Sequence, residues 1–361
     1  MSSRNEPPYV APLDDSARLG HCLVTGAAGF LGRNLVEALL QAGCTVTALV
    51  NRTPLTRSHP NLVQIHGDVR DARVLRDACR GVNTVFHTAA RIALLGGRFA
   101  RARYRDEAWS INVEGTRHVI DAARERGVER LIYTSSVDVC FDGVSAPAMD
   151  ETKAYASAPK SVYAATKIAA ERLVLEANGK DGLLTCAIRP DGIYGAQPNE
   201  MIDRFHEQLR GGRLRVRIGA GDTLQDNSQV DNLVHGEILA ARHLVPGGIA
   251  CGQAYFIGDG EPMNSFEFFR PLIEGLGYDF PRRSIPAGAL RPLLTFWQAL
   301  HFLLGAPRPL LSPHELDKIS VTHYASYDKA RRELGYAPLV SSAQALAACV
   351  DYCRSRAPNA E

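Results

Sequence analysis

Residues 25–32, TGAAGFLG, place Gly26, Gly29 and Gly32 three apart, directly after the short apolar run HCLVTG and at the head of FLGRNLVEALLQAG. In the latter segment Leu31, Leu35, Leu39 and Leu40 recur at helical spacing until Gly43 ends the pattern. The order is strand, tight turn, helix. Glycine lets the backbone turn and approach a pyrophosphate, while the first helical turn offers N–H groups and the positive end of its dipole to an anion. A glycine triplet alone is a common turn; between a strand and a helix it predicts a dinucleotide cradle formed by Gly26, Gly29, Phe30, Leu31 and Gly32.

The alternation continues. CTVTALV (44–50), LVQIHGDV (62–69), TVFHTAA (84–90), RLIYTSS (130–136) and LLTCAIRPDGIYG (183–195) read as further strands, with a helix from about Trp109 to Arg126. Strands separated by helices predict an α/β fold over residues 20–195, a doubly wound parallel (Rossmann) sheet covered on both faces. Beyond Gly195 the rhythm loosens. Helix-like NEMIDRFHEQLRGG, alternating RLRVRIG, helix-like DNLVHGEILAARHL and strand-like AYFIGDG predict a smaller α+β substrate-binding cap over 196–361, some later segments returning to the first domain. Residues 1–19 are expected to be a flexible extension.

Composition narrows the partner. With 41 basic against 39 acidic residues, a formal charge of +2 and no block of five like charges, the chain lacks the electrostatic footprint of a nucleic-acid binder, and a small molecule is expected instead. The eight cysteines form no paired C-x-x-C of a zinc site and read as reduced thiols, so no metal is expected. The first twenty residues carry no apolar h-region, which predicts a cytoplasmic rather than a secreted protein. LLTFWQALHFLLGA (293–306) is apolar almost all round but falls short of the roughly 20 residues that span a bilayer. It reads either as a buried helix or as a lid or peripheral membrane contact over an apolar ligand. A homodimer is the default assembly.

At the end of the second strand a carboxylate suits the ribose of NAD and an arginine the 2′-phosphate of NADP. Asn51 and Arg52 stand there, which favours NADP over NAD unless Arg52 only stacks on adenine. Further on, YAATK (163–167) sets Tyr163 and Lys167 one helical turn apart on one face. A phenol with an ordinary pKa near 10 is a poor base at neutral pH, and a neighbouring ammonium predicts that it is pulled down. YTSSVDV supplies Ser135 and Ser136 at a strand's C-terminal end, where open α/β sheets bind ligands, and Ser136 is expected to hold the substrate oxygen. Tyr163 would then take the proton of a secondary alcohol as hydride leaves its carbon, or return it to a ketone. A tyrosine and lysine at this spacing arise by chance among 12 tyrosines; the ordered set of loop, serine pair and Tyr163–Lys167 is specific.

TGAAGFLG, GDV, HTAA, NVEGT, YTSS, YAATK and IRPDGIYG match in order the landmarks of the extended short-chain dehydrogenase/reductases, which the chain resembles from about residue 20 to residue 345. Within that superfamily SSVDVCFDGV, LTCAIRPDGIYG, DNLVHGEILAA and YDKARRELGYAPLV resemble the 3β-hydroxysteroid dehydrogenases, especially the decarboxylating sterol-4α-carboxylate 3-dehydrogenases. The resemblance implies that Asp68 and Val69 flank the adenine and that Ala89 and Ala90 line the cofactor. Asn112 would brace the site, and Pro190 and Ile193 would pack beside the nicotinamide. Many such sterol enzymes carry an acid where Asn51 stands. The implied reaction is oxidation of a 3β-hydroxyl on a sterol or 4α-carboxysterol, the latter then losing carbon dioxide as a β-keto acid. Arg91 and Ser135 are candidate substrate contacts, Arg91 for the carboxylate, although a structural arginine is an equal reading.

Three rivals remain. An NADPH-dependent reductase of long-chain 2-alkyl-3-oxo acids would use the same three residues. A nucleotide-sugar epimerase or dehydratase would place Arg213, Arg215 and Arg217 on one strand face against a diphosphate, where a solvated edge is the plainer reading. A non-catalytic dinucleotide-sensing regulator would have no need of Ser136, Tyr163 and Lys167 together.

Overall fold

The computed structural model describes residues 16–96, 100–219 and 221–356; of the expected N-terminal extension it describes Ser16–Leu19, a single helical turn. Seven strands form one sheet: β1 (His21–Thr25), β2 (Thr45–Val50), β3 (Leu62–His66), β4 (Thr84–His87), β5 (Arg130–Thr134), β6 (Leu184–Pro190) and β7 (Ala254–Ile257). Their order is β3-β2-β1-β4-β5-β6-β7, and every neighbouring pair is parallel. The central strands are apolar runs because both faces are covered. Cys22 and Val24 of β1 pack on one side and Leu23 on the other, while the edge strand β3 keeps Val63 and Gln64 exposed.

Helices α1 (Phe30–Gln41), α2 (Ala72–Ala78), α3 (Gly115–Glu125), α4 (Val162–Glu176) and α5 (Val230–His243) supply the cover. Leu31, Leu35 and Leu39 of α1 join Leu233 and Ile238 of α5 on one face; Leu75 of α2, Val119 of α3 and Val174 of α4 close the other. Helix α3 continues an earlier one, Ala102–Trp109, through a single π-turn, Ser110–Glu114. The expected start near Trp109 is therefore late. Ala102–Trp109 buries only Ala108, so it shows no apolar stripe to read.

Two segments that read with the cap, AYFIGDG and DNLVHGEILAARHL, supply β7 and α5 of the main sheet layers. The expectation of RLRVRIG as one alternating strand is corrected: only Arg217–Ile218 pairs, with Ser284–Ile285. Gly212 (φ +63°) and Gly219 (φ +89°) turn the chain on either side, and Arg215 donates back to the Gly212 carbonyl, so the three arginines do not share a strand face.

Helices Glu200–Arg210, Ser265–Gly275 and Ser342–Ser355 pack around Tyr194, Ile202, Phe268, Leu272 and Leu346. Helices α6 (Ala287–Leu304) and α7 (Pro313–Ser320) pack on each other. The apolar 293–306 stretch lies mostly in α6, which Gly305 ends at φ +73°. It is not buried all round: Leu294, Gln298 and Phe302 face inward, whereas Leu293, Phe296, Leu303 and Leu304 are exposed. Among the described residues no helix is long and apolar enough to cross a membrane.

Candidate active site

The loop after β1 is tight enough to exclude side chains. Gly26 has φ +66°, and a Cβ there would lie 2.8 Å from the Ala89 Cα; one on Gly32 would meet the Gly26 carbonyl at 2.3 Å. Gly29 donates to that same carbonyl at 2.8 Å and opens α1, whose N-terminus has no side-chain cap. An uncapped helix N-terminus beside a loop with no room for side chains fits a pyrophosphate. Phe30 and Leu31 form the first turn, and Ala89 and Ala90 follow β4 opposite the loop, Ala89 donating to Thr25 Oγ1 at 3.3 Å.

At the end of β2, Asn51 and Arg52 are exposed. Asn51 donates to Asp68 Oδ2 at 3.0 Å, and Arg70 grips the same carboxylate at 2.7 and 2.9 Å. Arg70 holds Asp68 below the usual carboxylate range. Val69 beside it is buried against Gly115.

Ser136, Tyr163 and Lys167 converge at the C-terminal end of β5. Ser136 caps the single turn Val137–Val139 by accepting from the Asp138 N–H at 3.2 Å, and its hydroxyl pulls the Tyr163 phenol down. Tyr163 opens α4, capped by Ser161. One turn on, the buried Lys167 ammonium donates to the Thr134 carbonyl at 2.6 Å and lies 5.7 Å from the Tyr163 ring centre. The expectation of a lowered phenol is reversed. Burial and the Asp138 carboxylate push Tyr163 above its ordinary value, outweighing Lys318 and Ser136, while burial pulls Lys167 itself down to about 7. Ser135 Oγ is buried without a hydrogen-bond partner, its N–H bonded to the Ile188 carbonyl.

Around this centre Asn112, set by the π-turn, accepts from the Arg91 N–H at 2.7 Å and donates to the Arg91 carbonyl and to Thr166 Oγ1. It ties the segment after β4 to α4. Arg91 itself closes on Glu107 at 2.8 Å and lies over Tyr104, so its charge is already answered within the protein. Pro190 ends β6, and Ile193 lies in the short strand Gly192–Tyr194 that pairs with Asn227–Gln229. Phe302 of α6 packs with Ala93, Leu95 and Val162 in the apolar cluster that Tyr163 borders.

Sequence reasoning missed a buried charged network behind Tyr163. Lys318 of α7 donates to Asp138 Oδ1 at 3.0 Å and to Asp191 Oδ1 at 2.5 Å. His314, one turn earlier, places Nε2 3.0 Å from Asp138 Oδ2, and His323 Nε2 lies 3.5 Å from Asp191 Oδ2. Burial alone would raise both aspartates and lower the lysine; their mutual pairing outweighs it and keeps all three charged. Asp138 and Asp191 stood inside quoted motifs, SSVDV and RPDGIYG. His314 and Lys318 repeat the four-residue spacing of Tyr163–Lys167, a signal that the sequence carries.

With this geometry in hand, the comparisons with known proteins are consistent. The sequence profile described as the 3-beta hydroxysteroid dehydrogenase/isomerase family matches residues 23–287. A Mycobacterium tuberculosis protein named 3 beta-hydroxysteroid dehydrogenase/Delta 5→4-isomerase is 45% identical over 337 residues, 93% of this chain and 91% of its own. The Mus musculus sterol-4-alpha-carboxylate 3-dehydrogenase, decarboxylating, is 34% identical over 338 residues, 92% of this chain and 91% of its own. Among solved structures, MoeE5 in complex with UDP-glucose and NAD is similar with a TM-score of 0.69 at 28% identity, covering 93% of this chain and 99% of that one.

Proposed function

The chain belongs to the 3-beta hydroxysteroid dehydrogenase/isomerase family, and from that premise we propose that it oxidises the 3β-hydroxyl of a sterol or 4α-carboxysterol with a nicotinamide dinucleotide. The observation that carries this reading is the placing of Ser136 directly after β5 with Lys167 bonded to the end of that strand beside Tyr163, bordered by the apolar residues Leu95, Val162 and Phe302. The Ser136 and Tyr163 hydroxyls would hold one substrate oxygen there, and the apolar wall suits a hydrocarbon skeleton rather than a sugar.

The bound dinucleotide would supply the hydride acceptor. Gly26, Gly29 and Gly32 would seat its pyrophosphate, and Asp68, held by Asn51 and Arg70, would face the adenine end. Ser136 would orient the carbinol oxygen. Tyr163 would take the hydroxyl proton at its phenolic oxygen as the carbinol carbon gives up hydride, and Lys167 would offset the phenolate charge. On a 4α-carboxysterol the resulting 3-ketone is a β-keto acid, which loses carbon dioxide through its enol without a further protein base. Since Arg91 is closed on Glu107, we read it as structural.

Arg52, exposed at the end of β2, favours NADP, whereas the solved relative MoeE5 carries NAD. The exposed Leu293, Phe296, Leu303 and Leu304 of α6 we read as a peripheral contact with the lipid phase from which such a substrate would arrive.

The test is a panel: a 4-carboxysterol, a simple 3β-hydroxysteroid, a long-chain 3-oxo acid and a UDP-sugar, each with NAD and NADP, read by nicotinamide absorbance and released carbon dioxide. Turnover of a hydroxysteroid or carboxysterol is expected, and Tyr163→Phe should lower it at least about 10²-fold with dinucleotide affinity nearly intact. Turnover of the UDP-sugar or oxo acid alone, or of nothing, overturns the assignment. The ratio of kcat/KM with the two cofactors settles the preference.

A further inference from the structure

Asp138 sits two residues beyond Ser136 with its side chain only 3% exposed. Taken alone, a carboxylate so near Tyr163 opposes a phenolate, because like charges in a dry site raise each other's pKa. The cation that answers it lies 180 residues further along the chain, on α7. We propose that Lys318 is a positioning residue for proton transfer at Tyr163: by closing on Asp138 and Asp191 it makes docking of the cap helix a condition for forming the phenolate. The proposal rests on Tyr163 acting as the base.

The helix that carries Lys318 is built to hold it in place. Ser312 and Glu315 form a capping box at its start, Glu315 also binds Arg204 at 2.7 Å, and Asp317 pairs with Arg291 of α6. His314 supplies a second contact to Asp138 from the same face. The charged and titratable groups around Tyr163 are Lys167 on its own helix, Asp138 on the turn after β5, Lys318 and His314 on α7, and the Tyr133 phenol on β5, with Asp191 and His323 behind Lys318. With Lys318 present, the two carboxylates are matched. Without it, the buried Asp138 carboxylate acts on the developing phenolate with its lysine partner gone, and Asp191 behind it loses the same partner.

A merely structural clamp and an electrostatic one differ in sign. The rate of hydride transfer in a single turnover is measured against pH for the wild type, Asp138→Asn, Lys318→Met and the double variant, with dinucleotide affinity by fluorescence and melting as controls. Lys318→Met should move the base limb to higher pH by about one unit or more, a loss of about tenfold on the acid side of the limb. Asp138→Asn, which leaves Lys318 on Asp191, should move it to lower pH, and the double variant should return it toward wild type. Dinucleotide affinity should be unchanged throughout. Limbs that stay put, or move in the same direction in both single variants, overturn the proposal. Should Lys318→Met fail to fold, the Asp138→Asn limb decides alone: unmoved or raised, it overturns the idea. Tyr163→Phe separates the two levels, because a variant that still turns over removes the base and this proposal with it, whereas an inactive one with unmoved limbs elsewhere removes only the role of Lys318.

Discussion

Glu171 on α4 and Glu237 on α5 are both fully buried, at 0% exposure. Their surroundings differ. Glu171 Oε1 accepts from Arg189 Nε at 3.1 Å, from Nη2 at 2.6 Å and from the Tyr155 hydroxyl at 2.8 Å. Glu237 receives one bond, from Thr134 Oγ1 at 2.6 Å, and its Oε2 has no hydrogen-bond partner. Burial alone would pull Arg189 down, but Glu171 outweighs it and holds the guanidinium above its ordinary value; at Glu237 nothing outweighs burial, which pushes it up to about 7. Burial sets the cost of a charge, and the donors present decide whether the protein keeps that charge or protonates it.

The largest test of that contrast is Glu171→Ala. It strands a guanidinium only 5% exposed, one of whose nitrogens, Nη1, already lacks a partner. A loss of about 3–5 kcal/mol in unfolding free energy is expected from denaturant titration. The double change Glu171→Met with Arg189→Met should recover most of it, because an apolar pair of similar volume avoids both desolvation penalties. A loss under about 1 kcal/mol from the single change would place the two carboxylates in one class and erase the distinction.

What the sequence made legible follows a related division between local and remote causes. The glycine loop, the Tyr163–Lys167 pair and six of the seven strands are set by residues within a few positions of one another, so spacing and periodicity suffice to read them. Lys318 meets Asp138 and Asp191 across 180 and 127 residues, and no local pattern announces such a meeting. Arg91 looked available for a substrate because its partner Glu107 lies on a polar helix with no apolar stripe. RLRVRIG alternates as a strand should, yet glycines at positive φ on either side cut it to two residues. The phenol goes against expectation for a third reason: the lysine is visible in the sequence, but the burial and the carboxylate that outweigh it are not.

The second test uses pH. Glu237 moves from an ordinary 4.5 to about 7 on folding, so the folded state holds its proton more tightly than the unfolded chain. Its contribution is fully present below the unfolded value and is lost as pH rises through about 7. Between about pH 5 and 8 the wild type should lose on the order of a few kcal/mol relative to Glu237→Gln, whose amide cannot titrate. Lys167 adds a slope of the opposite sign in an adjoining window. Burial lowers it from 10.5 to about 7, so its share of stability rises with pH above about 7. Thermal melts of both proteins across that range separate the two slopes. Parallel curves for wild type and Glu237→Gln would mean that Glu237 is ionised throughout and that its single donor suffices.

The smallest change, Thr134→Val, separates the two faces most finely. It keeps the β-branched shape and the backbone carbonyl that binds Lys167, and deletes only the hydroxyl that donates to Glu237. A loss of about 1 kcal/mol is expected above about pH 8, where the carboxylate most needs its donor. Because that hydroxyl lowers the Glu237 pKa, the stability loss described above should begin at the same pH but continue to a higher one. The cost of Glu171→Ala should be the same in the Thr134→Val background as in the wild type, since Thr134 makes no bond to the Arg189 pair. If removing the hydroxyl changed that cost while leaving the Glu237 window in place, the two carboxylates would be coupled through β5 itself, and the sheet rather than the individual donors would set their charge.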